Sequence, residues 1–368
     1  MTDRDAIRHF LRTHQATAVG VTPTRPNLPV ADEGGAATGG QNFGVERPIA
    51  EWRPMPLSEA PAAAGEFPER FIDGSHASQP VLSIRSAQGY PIPLLLAEVG
   101  AVALRLNGRK FEREFVAVER VLSFMADPFP WEQVEGFAAA LANSPELRVR
   151  VLPARTPSRE DYRPFDYEAN RTQAYNRCQN EMLKLEVLAL AAAPDVPTLV
   201  DGQLGGRIGE TAAKDRPLLV GAVKAPTPPA FPPAGYNTLL DLKPGQRTPF
   251  YQDVRVTDGT VTDMPLGSWF LRLAGGPRLA PNWGVVRIDM PWVHLTRYPE
   301  GEKRTGFVNR LSRWLIDARC RTDSYARMPV SLDPIVRAED ALKPLFTPTA
   351  VLVNRLYRTA GLFRGNEG

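Results

Sequence analysis

Two short stretches decide the fold: Phe71-Ile72-Asp73-Gly74-Ser75 and Thr198-Leu199-Val200-Asp201-Gly202. Each is an apolar run of strand character that meets Asp-Gly, a pair favoured in tight turns. A carboxylate at the C-terminal end of a buried strand sits where α/β sheets present their chemistry. Two such carboxylates on neighbouring strands converge on one hard cation, because Mg²⁺ and Mn²⁺ take oxygen ligands. A turn alone explains one Asp-Gly. Two of them, each after an apolar run, fit equally well the metal sites of phosphoryl-transfer enzymes.

Between the two stretches lies the longest helical segment, about Ala169 to Ala192, rich in helix formers and free of Pro. It offers Glu181 and Glu186 as a third carboxylate, about 140° apart around the helix. Glu181 shares a face with Arg177 and Lys184 and reads as an exposed ion pair of small energetic value. Glu186 stacks with Met182 and Ala189, nearer the apolar face, where a carboxylate needs a partner. Both remain candidates.

Working outward, Val81 to Arg85, Leu94 to Leu106 and Leu147 to Leu152 read as strands. So do Pro217 to Val223, Trp269 to Leu273 and Gly284 to Asp289. Arg109 to Arg120 is a charged stretch, followed by a helix over Trp131 to Ala142. Lys224 ends its strand before the Pro-rich loop 225–233. Helices over Thr305 to Arg319, Pro334 to Leu342 and Ala350 to Ala360 close the chain. At the other end, Asp3 to His14 forms an amphipathic helix with Ile7, Phe10 and Leu11 on one face. Val21 to Pro68 is dominated by Pro, Gly and Ala and reads as an irregular or partly disordered connector. The whole, residues 1–368, reads as a single α/β domain with its core over 70–361.

Composition narrows the function classes. The 368 residues include 44 basic and 41 acidic ones, a net charge of +3 that does not by itself announce a nucleic-acid binder. Only seven of the basic residues are Lys. The arginine excess follows from GC-rich coding, and it also suits a surface that grips phosphate. Cys178 and Cys320 have no second Cys or His at ligand spacing, which argues against structural zinc and against a disulfide framework. Unpaired thiols, the lack of an apolar run of about 20 residues, and an N-terminus without a secretory apolar segment lead us to expect a cytoplasmic protein. Walker, dinucleotide-binding and Gly-x-Ser-x-Gly patterns are absent, so ATP-driven movement would come from a partner.

In order, these pieces resemble the NurA-domain nucleases. The resemblance rests on the Phe71–Ser75 strand, a Glu-bearing helix and Leu199-Val200-Asp201-Gly202-Gln203-Leu204. Val220-Gly221-Ala222-Val223-Lys224 and the late strand Val286-Arg287-Ile288-Asp289-Met290-Pro291, with His294 behind it, complete it. It implies an RNase H-like mixed central sheet flanked by helices, with a helical C-terminal portion. It implies Mn²⁺ or Mg²⁺ held by Asp73, Asp201 and a helix Glu (Glu181 or Glu186). It further implies a homodimer that works with a HerA-type hexameric ATPase in DNA end resection and recombinational repair. The activity implied is 5′-to-3′ exonuclease with single-strand endonuclease.

In that scheme Lys224 neutralises charge developing on the phosphate, and His294 orients the nucleophile or assists proton transfer. Arg171, Arg177, Arg304, Arg310, Arg313 and Arg319 would line a DNA groove, with Trp269, Phe270, Trp283 and Trp292 as stacking surfaces. The plainer reading is that these aromatics are core and the arginines solvated faces; His76 reads as a turn residue near Asp73. Two other functions keep most of these features: a NurA-like scaffold that binds DNA or a motor without cutting, and another RNase H-like phosphoesterase acting on RNA.

Overall fold

The computed structural model describes residues 2–19, 40–57, 66–156, 163–224, 226, 228–254, 256–257, 260–261, 264–275, 283–322, 325 and 327–362. In chain order come helix α1 (Asp3–Thr13) and strands β1 (Thr17–Ala18), β2 (Gly40–Asn42) and β3 (Met55–Pro56). Three long strands follow: β4 (Arg70–Arg85), β5 (Pro91–Asn107) and β6 (Lys110–Met125). Next are α2 (Trp131–Asn143), β7 (Arg150–Ala154), α3 (Tyr167–Ala192), β8 (Thr198–Asp201), α4 (Glu210–Lys214), β9 (Leu219–Val223) and α5 (Pro233–Leu240). Beyond them lie β10 (Gln246–Arg247), β11 (Tyr251–Val254), the small pair β12 (Val256–Thr257) and β13 (Thr260–Val261), β14 (Leu266–Arg272) and β15 (Val285–Pro291). Helices α6 (Trp292–Leu295), α7 (Glu302–Asp317), α8 (Asp333–Leu342) and α9 (Thr349–Ala360) finish the chain.

The main sheet runs β2-β11-β14-β15-β9-β8-β4-β5-β6-β7. At its centre β4, β5 and β6 form an antiparallel meander, β8 lies parallel to β4, and β9 lies parallel to β8. Numbered within that group the order is 3-2-1-4-5, the mixed RNase H-like sheet that the motif resemblance implied. Period-two alternation then sorts the side chains into two layers. Phe71, Leu199, Val220 and Ile288 meet Phe307, Leu311 and Leu315 of α7 on one face. Ile72, Val200 and Leu219 meet Ala189 and Leu190 of α3 on the other. A separate core gathers α1, α2 and α9 around Val81, Leu82 and Phe124, at the far end of the meander.

Three expectations need correction. Phe71–Ser75 does not run into a turn: β4 continues through Gly74, which pairs with Ala101, and joins the expected Val81–Arg85 strand. The intervening His76–Pro80 lacks an apolar pattern because one edge of β4 is open there, and Pro80 sits at a register shift, where a missing N–H costs little. The charged stretch 109–120 falls on β6 from Lys110 onward; Glu112 and Arg113 are exposed, while Glu114 reaches back to the buried Arg70 and Arg120 to the buried Glu98.

The connector over 21–68 is partly built into the sheet. Residues 20–39 and 58–65 lie outside the described residues. Between them β2 pairs with β11 and β3 with β10. Fully buried Trp52 donates from Nε1 to the carbonyls of Phe43 and Arg47. Glu46 forms a two-pronged ion pair with Arg247, both essentially inaccessible. One aromatic anchor and one ion pair do here what periodicity does elsewhere. Among the described residues, no helix is long and apolar enough to cross a membrane.

Candidate active site

Pairing between β4 and β8 covers Arg70↔Thr198 to Ile72↔Val200 and then stops, because β8 ends at Asp201. Gly202 supplies the turn with φ +95°, a conformation that glycine adopts without strain. Among the described residues, no strand pairs with that edge of β4 from Asp73 until β1 does so at Leu82 and Ser83. Functional groups therefore collect at an open strand edge, beside the C-terminal end of β8.

Asp73 is 4% exposed and occupies the first position past the pairing. Its carboxyl lies close to that of Asp201. Burial first, and then the neighbouring Asp201 charge, drive its carboxyl well above the usual range; Lys224 pulls the other way. On the opposite face of β4, Gly74 opens a seat for Glu186 of α3: a Cβ there would fall 2.8 Å from Glu186 Cδ. Glu186 is 2% exposed and accepts from the Gly74 N–H, and burial pushes its carboxyl up to about 7 despite the nearby Arg207.

Two cations stand against the three carboxylates. Lys224, one residue past β9, places Nζ 2.9 Å from Asp201 Oδ2. Burial works against its charge, but Asp201 and Asp73 outweigh burial and hold the ammonium above its ordinary pKa. Behind it stands Tyr325, whose hydroxyl donates to Glu339 of α8 and is pushed up to about 12, chiefly by burial. Arg207 places Nη2 2.6 Å from Glu186 Oε2, and its Nη1 donates to the carbonyls of Asp201 (3.0 Å) and Gln203 (2.6 Å). Its guanidinium lies over Gly202, where a Cβ would crowd it at 3.2 Å.

This donor set suits a hard divalent cation. All its donors are carboxylate oxygens, and one buried oxygen, Asp201 Oδ1, has no hydrogen-bond partner, whereas Glu186 Oε2 is held by Arg207. The side chains do not form a closed shell as they stand. Among the described residues no three His, Cys, Asp or Glu are grouped closely enough to hold an ion. Asp73 and Glu186 approach from opposite faces of β4, and ion pairs occupy one oxygen each of Glu186 and Asp201.

Two of the expected site residues lie elsewhere. Glu181 is buried rather than exposed, and is paired with Arg150 (2.5 Å) and Lys184 (3.0 Å) on the side of β6 and β7. Burial tends to raise its carboxyl, but these partners outweigh burial and hold it below the usual range. Of the two helix carboxylates, then, Glu186 is the one beside Gly74 and Asp201.

His294 is also away from the cluster. Because β15 runs antiparallel to β9, its C-terminal end and the α6 that follows lie beside the start of β9, opposite Lys224. There His294 Nδ1 accepts from the Leu219 N–H (3.3 Å), which leaves Nε2 to donate to the Ala213 carbonyl (2.6 Å). The neutral ring this requires agrees with a pKa pushed down to about 4, mainly by burial. His294 ties α6 to β9 and α4, and takes no part in the carboxylate cluster.

The groove expectation fares unevenly. Trp269 and Phe270 are fully buried core residues, as aromatics in strands usually are. Arg310 is bound to Glu66, Arg313 to Asp317 and Arg171 to Glu168. Arg304 is buried against Trp292 and the Tyr298 carbonyl, and Arg319 donates to the Ile316 carbonyl. His76 sits within β4, edge-on to Tyr175 at 5.0 Å, and not in a turn. Sequence reasoning missed Arg207. Its only signal was an arginine closing the glycine-rich run Gly202-Gln203-Leu204-Gly205-Gly206 directly after Asp201.

No family model matches the chain, and none of the curated proteins matches it. Among solved structures the chain is similar to the NurA nuclease from Sulfolobus solfataricus. The two are 11% identical over 85% of this chain and 88% of that one, with a TM-score of 0.42.

Proposed function

We propose that the chain is a metal-dependent DNA nuclease that hydrolyses phosphodiester bonds at the open edge of β4, using Mn²⁺ or Mg²⁺ held by Asp73, Asp201 and Glu186. The observation that supports this most is the placing of Asp73 of β4 beside Asp201 of β8, whose Oδ1 is buried without a hydrogen bond, with Glu186 of α3 close by. Burying so much like charge is costly unless cations neutralise it.

A divalent ion bound there supplies Lewis-acid activation of the phosphate and of the attacking water. The protein's own groups have definable parts. The neighbouring carboxyl groups of Asp73 and Asp201 would present oxygens to the ion at the end of β8. Lys224 stays charged and sits where it can neutralise a non-bridging phosphate oxygen. Arg207 fixes the orientation of Glu186 through Gly202. The 5′-to-3′ polarity, single-strand endonuclease activity, homodimer and partnership with a HerA-like hexameric ATPase in end resection belong to this proposal through the motif resemblance alone.

A second reading is a DNA- or motor-binding scaffold without catalysis. The two ion pairs that already engage Glu186 and Asp201 favour it. End-labelled single- and double-stranded DNA incubated with Mn²⁺, Mg²⁺ or EDTA separates the two. The nuclease reading expects cleavage that EDTA abolishes and that Asp73→Asn and Asp201→Asn each lower by about a hundredfold or more. Binding without cleavage under every metal condition supports the scaffold.

A further inference from the structure

The last turn of α3 ends against two buried arginines. A helix that stops at Ala192 cannot satisfy its final carbonyls internally, and those of Ala189 and Leu190 are among them. Arg70 Nη2 donates to the Ala189 carbonyl (2.7 Å) and Arg216 Nη2 to the Leu190 carbonyl (2.9 Å). Consecutive carbonyls are offset by only about 1.5 Å along a helix axis, so the two guanidinium groups are neighbours. Arg70 is inaccessible and Arg216 is 7% exposed. Arg70 opens β4, and Arg216 lies three residues before Leu219 opens β9. Glu186 is one helical turn back from Leu190, so the arginine pair adjoins the carboxylate centre without sharing a residue with it.

Capping the helix engages only part of each side chain. Arg70 also pairs through Nε with Glu114, a carboxylate that Arg105 shares at 3.5 Å. The Arg216 side chain makes its bond to Leu190 and, among the described residues, no ion pair. Three inaccessible nitrogens are left without a hydrogen-bond partner: Arg70 Nη1, Arg216 Nε and Arg216 Nη1. Burial first, and then the neighbouring Arg70 charge, lower the pKa of Arg216; Asp195, itself exposed, offsets them only in part. The helix end contributes about half a negative charge, too little for a second buried cation.

We infer that the unpartnered nitrogens of Arg70 and Arg216 hold a small inorganic anion of the chloride class, buried at the C-terminal end of α3. Water would accept their hydrogen bonds but leave the Arg216 charge uncompensated, and a buried unpaired charge is costly. A monatomic anion accepts N–H groups from any direction and supplies the missing charge. Larger oxyanions need room for several oxygens, whereas these nitrogens are closed to solvent. The ion would join β4, the segment before β9 and the end of α3, and it stands whether or not the chain cleaves DNA.

Urea unfolding at constant sodium, with gluconate replaced stepwise by chloride, tests this. One ion held by the folded chain alone makes the unfolding constant fall about tenfold for each tenfold rise in chloride above the site's dissociation constant. Wild type should follow that dependence. Arg216→Met, which keeps an apolar stem and removes the donors, should show no chloride dependence. Wild-type stability that is equal in chloride and gluconate overturns the inference, and so does an equal chloride dependence in the variant. So too does an Arg216→Met chain more stable than wild type at every chloride concentration, which would mean two arginines that merely repel. Crystals of the wild-type chain grown in sodium bromide decide the matter even if the variant does not fold. An anomalous peak in contact with Arg70 Nη1 and Arg216 Nη1 is expected; a water there, or bromide only at the surface, overturns the site.

Discussion

Gly74 shows how much a single residue settles. Its missing side chain gives Glu186 a seat against β4, and an added methyl would fall 2.8 Å from the Glu186 carboxyl carbon. Gly74→Ala should cost about 1–3 kcal/mol by overpacking, read from denaturant unfolding, and should lower cleavage by displacing Glu186. Asp73 and Asp201 were legible because each follows an apolar run. The same Asp-Gly signature hid a difference, since Gly202 turns the chain while Gly74 keeps it extended. Helical spacing favoured Glu186 over Glu181 without deciding between them. The error at His294 was one of position: a histidine close behind a motif strand looks functional until the antiparallel direction of β15 carries it to the wrong end of β9. Its burial has a measurable consequence. The folded ring titrates at about 4 and an unfolded histidine at about 6.5, so between these values the unfolded chain takes up a proton that the folded one refuses. The contribution of His294 is fully present above pH 6.5, is lost as pH falls toward 4, and amounts to about 3 kcal/mol. His294→Gln, which keeps one donor and one acceptor, should flatten that part of the stability–pH curve. An unchanged slope would show that the ring titrates normally.

Among the elements, helices were the easier to read and strands the harder. Helices α1, α3 and α9 fall within a few residues of where the sequence places them, α1 through its amphipathic face and α3 through its run of helix formers. The central meander was read in fragments, because β4 and β6 each combine a buried half with a half that is polar and partly exposed. Period-two patterning fades wherever a strand lacks cover on one side. The edge formed by β2 and β3 was missed altogether, since it is fixed by isolated anchors within a Pro- and Gly-rich stretch. Those anchors are testable. Trp52→Ala should cost about 3–5 kcal/mol through the cavity it leaves. Glu46→Ala should cost a comparable amount by stranding the inaccessible Arg247 without its partner. Urea unfolding of both variants measures these values, and shifts below about 1 kcal/mol would mean that the edge strands are held by something else.

At the scale of the whole molecule, a net charge of +3 conceals opposite local fields. Buried carboxylates gather at the open edge of β4, while Arg70 and Arg216 meet at the end of α3. Most other arginines singled out in the sequence are committed to ion pairs or carbonyls, which is why composition alone could not locate a groove. The apolar runs and the long helix made an α/β fold with one sheet legible, while the RNase H-like strand order was expected only through the motif resemblance. The charge partners of the carboxylates were not legible, because Arg207 and Lys224 meet them only through the turn after β8 and the end of β9. The proposed function depends on the three carboxylates acting as one metal-dependent centre. The most direct test is the Mn²⁺-dependent single-turnover rate on end-labelled DNA for wild type, Asp73→Asn, Asp201→Asn, Glu186→Gln and Glu181→Gln, with circular dichroism confirming that each is folded. We expect the first three variants to collapse by about a hundredfold or more and Glu181→Gln to retain cleavage. Undiminished rates in the first three, or a collapse confined to Glu181→Gln, would contradict the assignment.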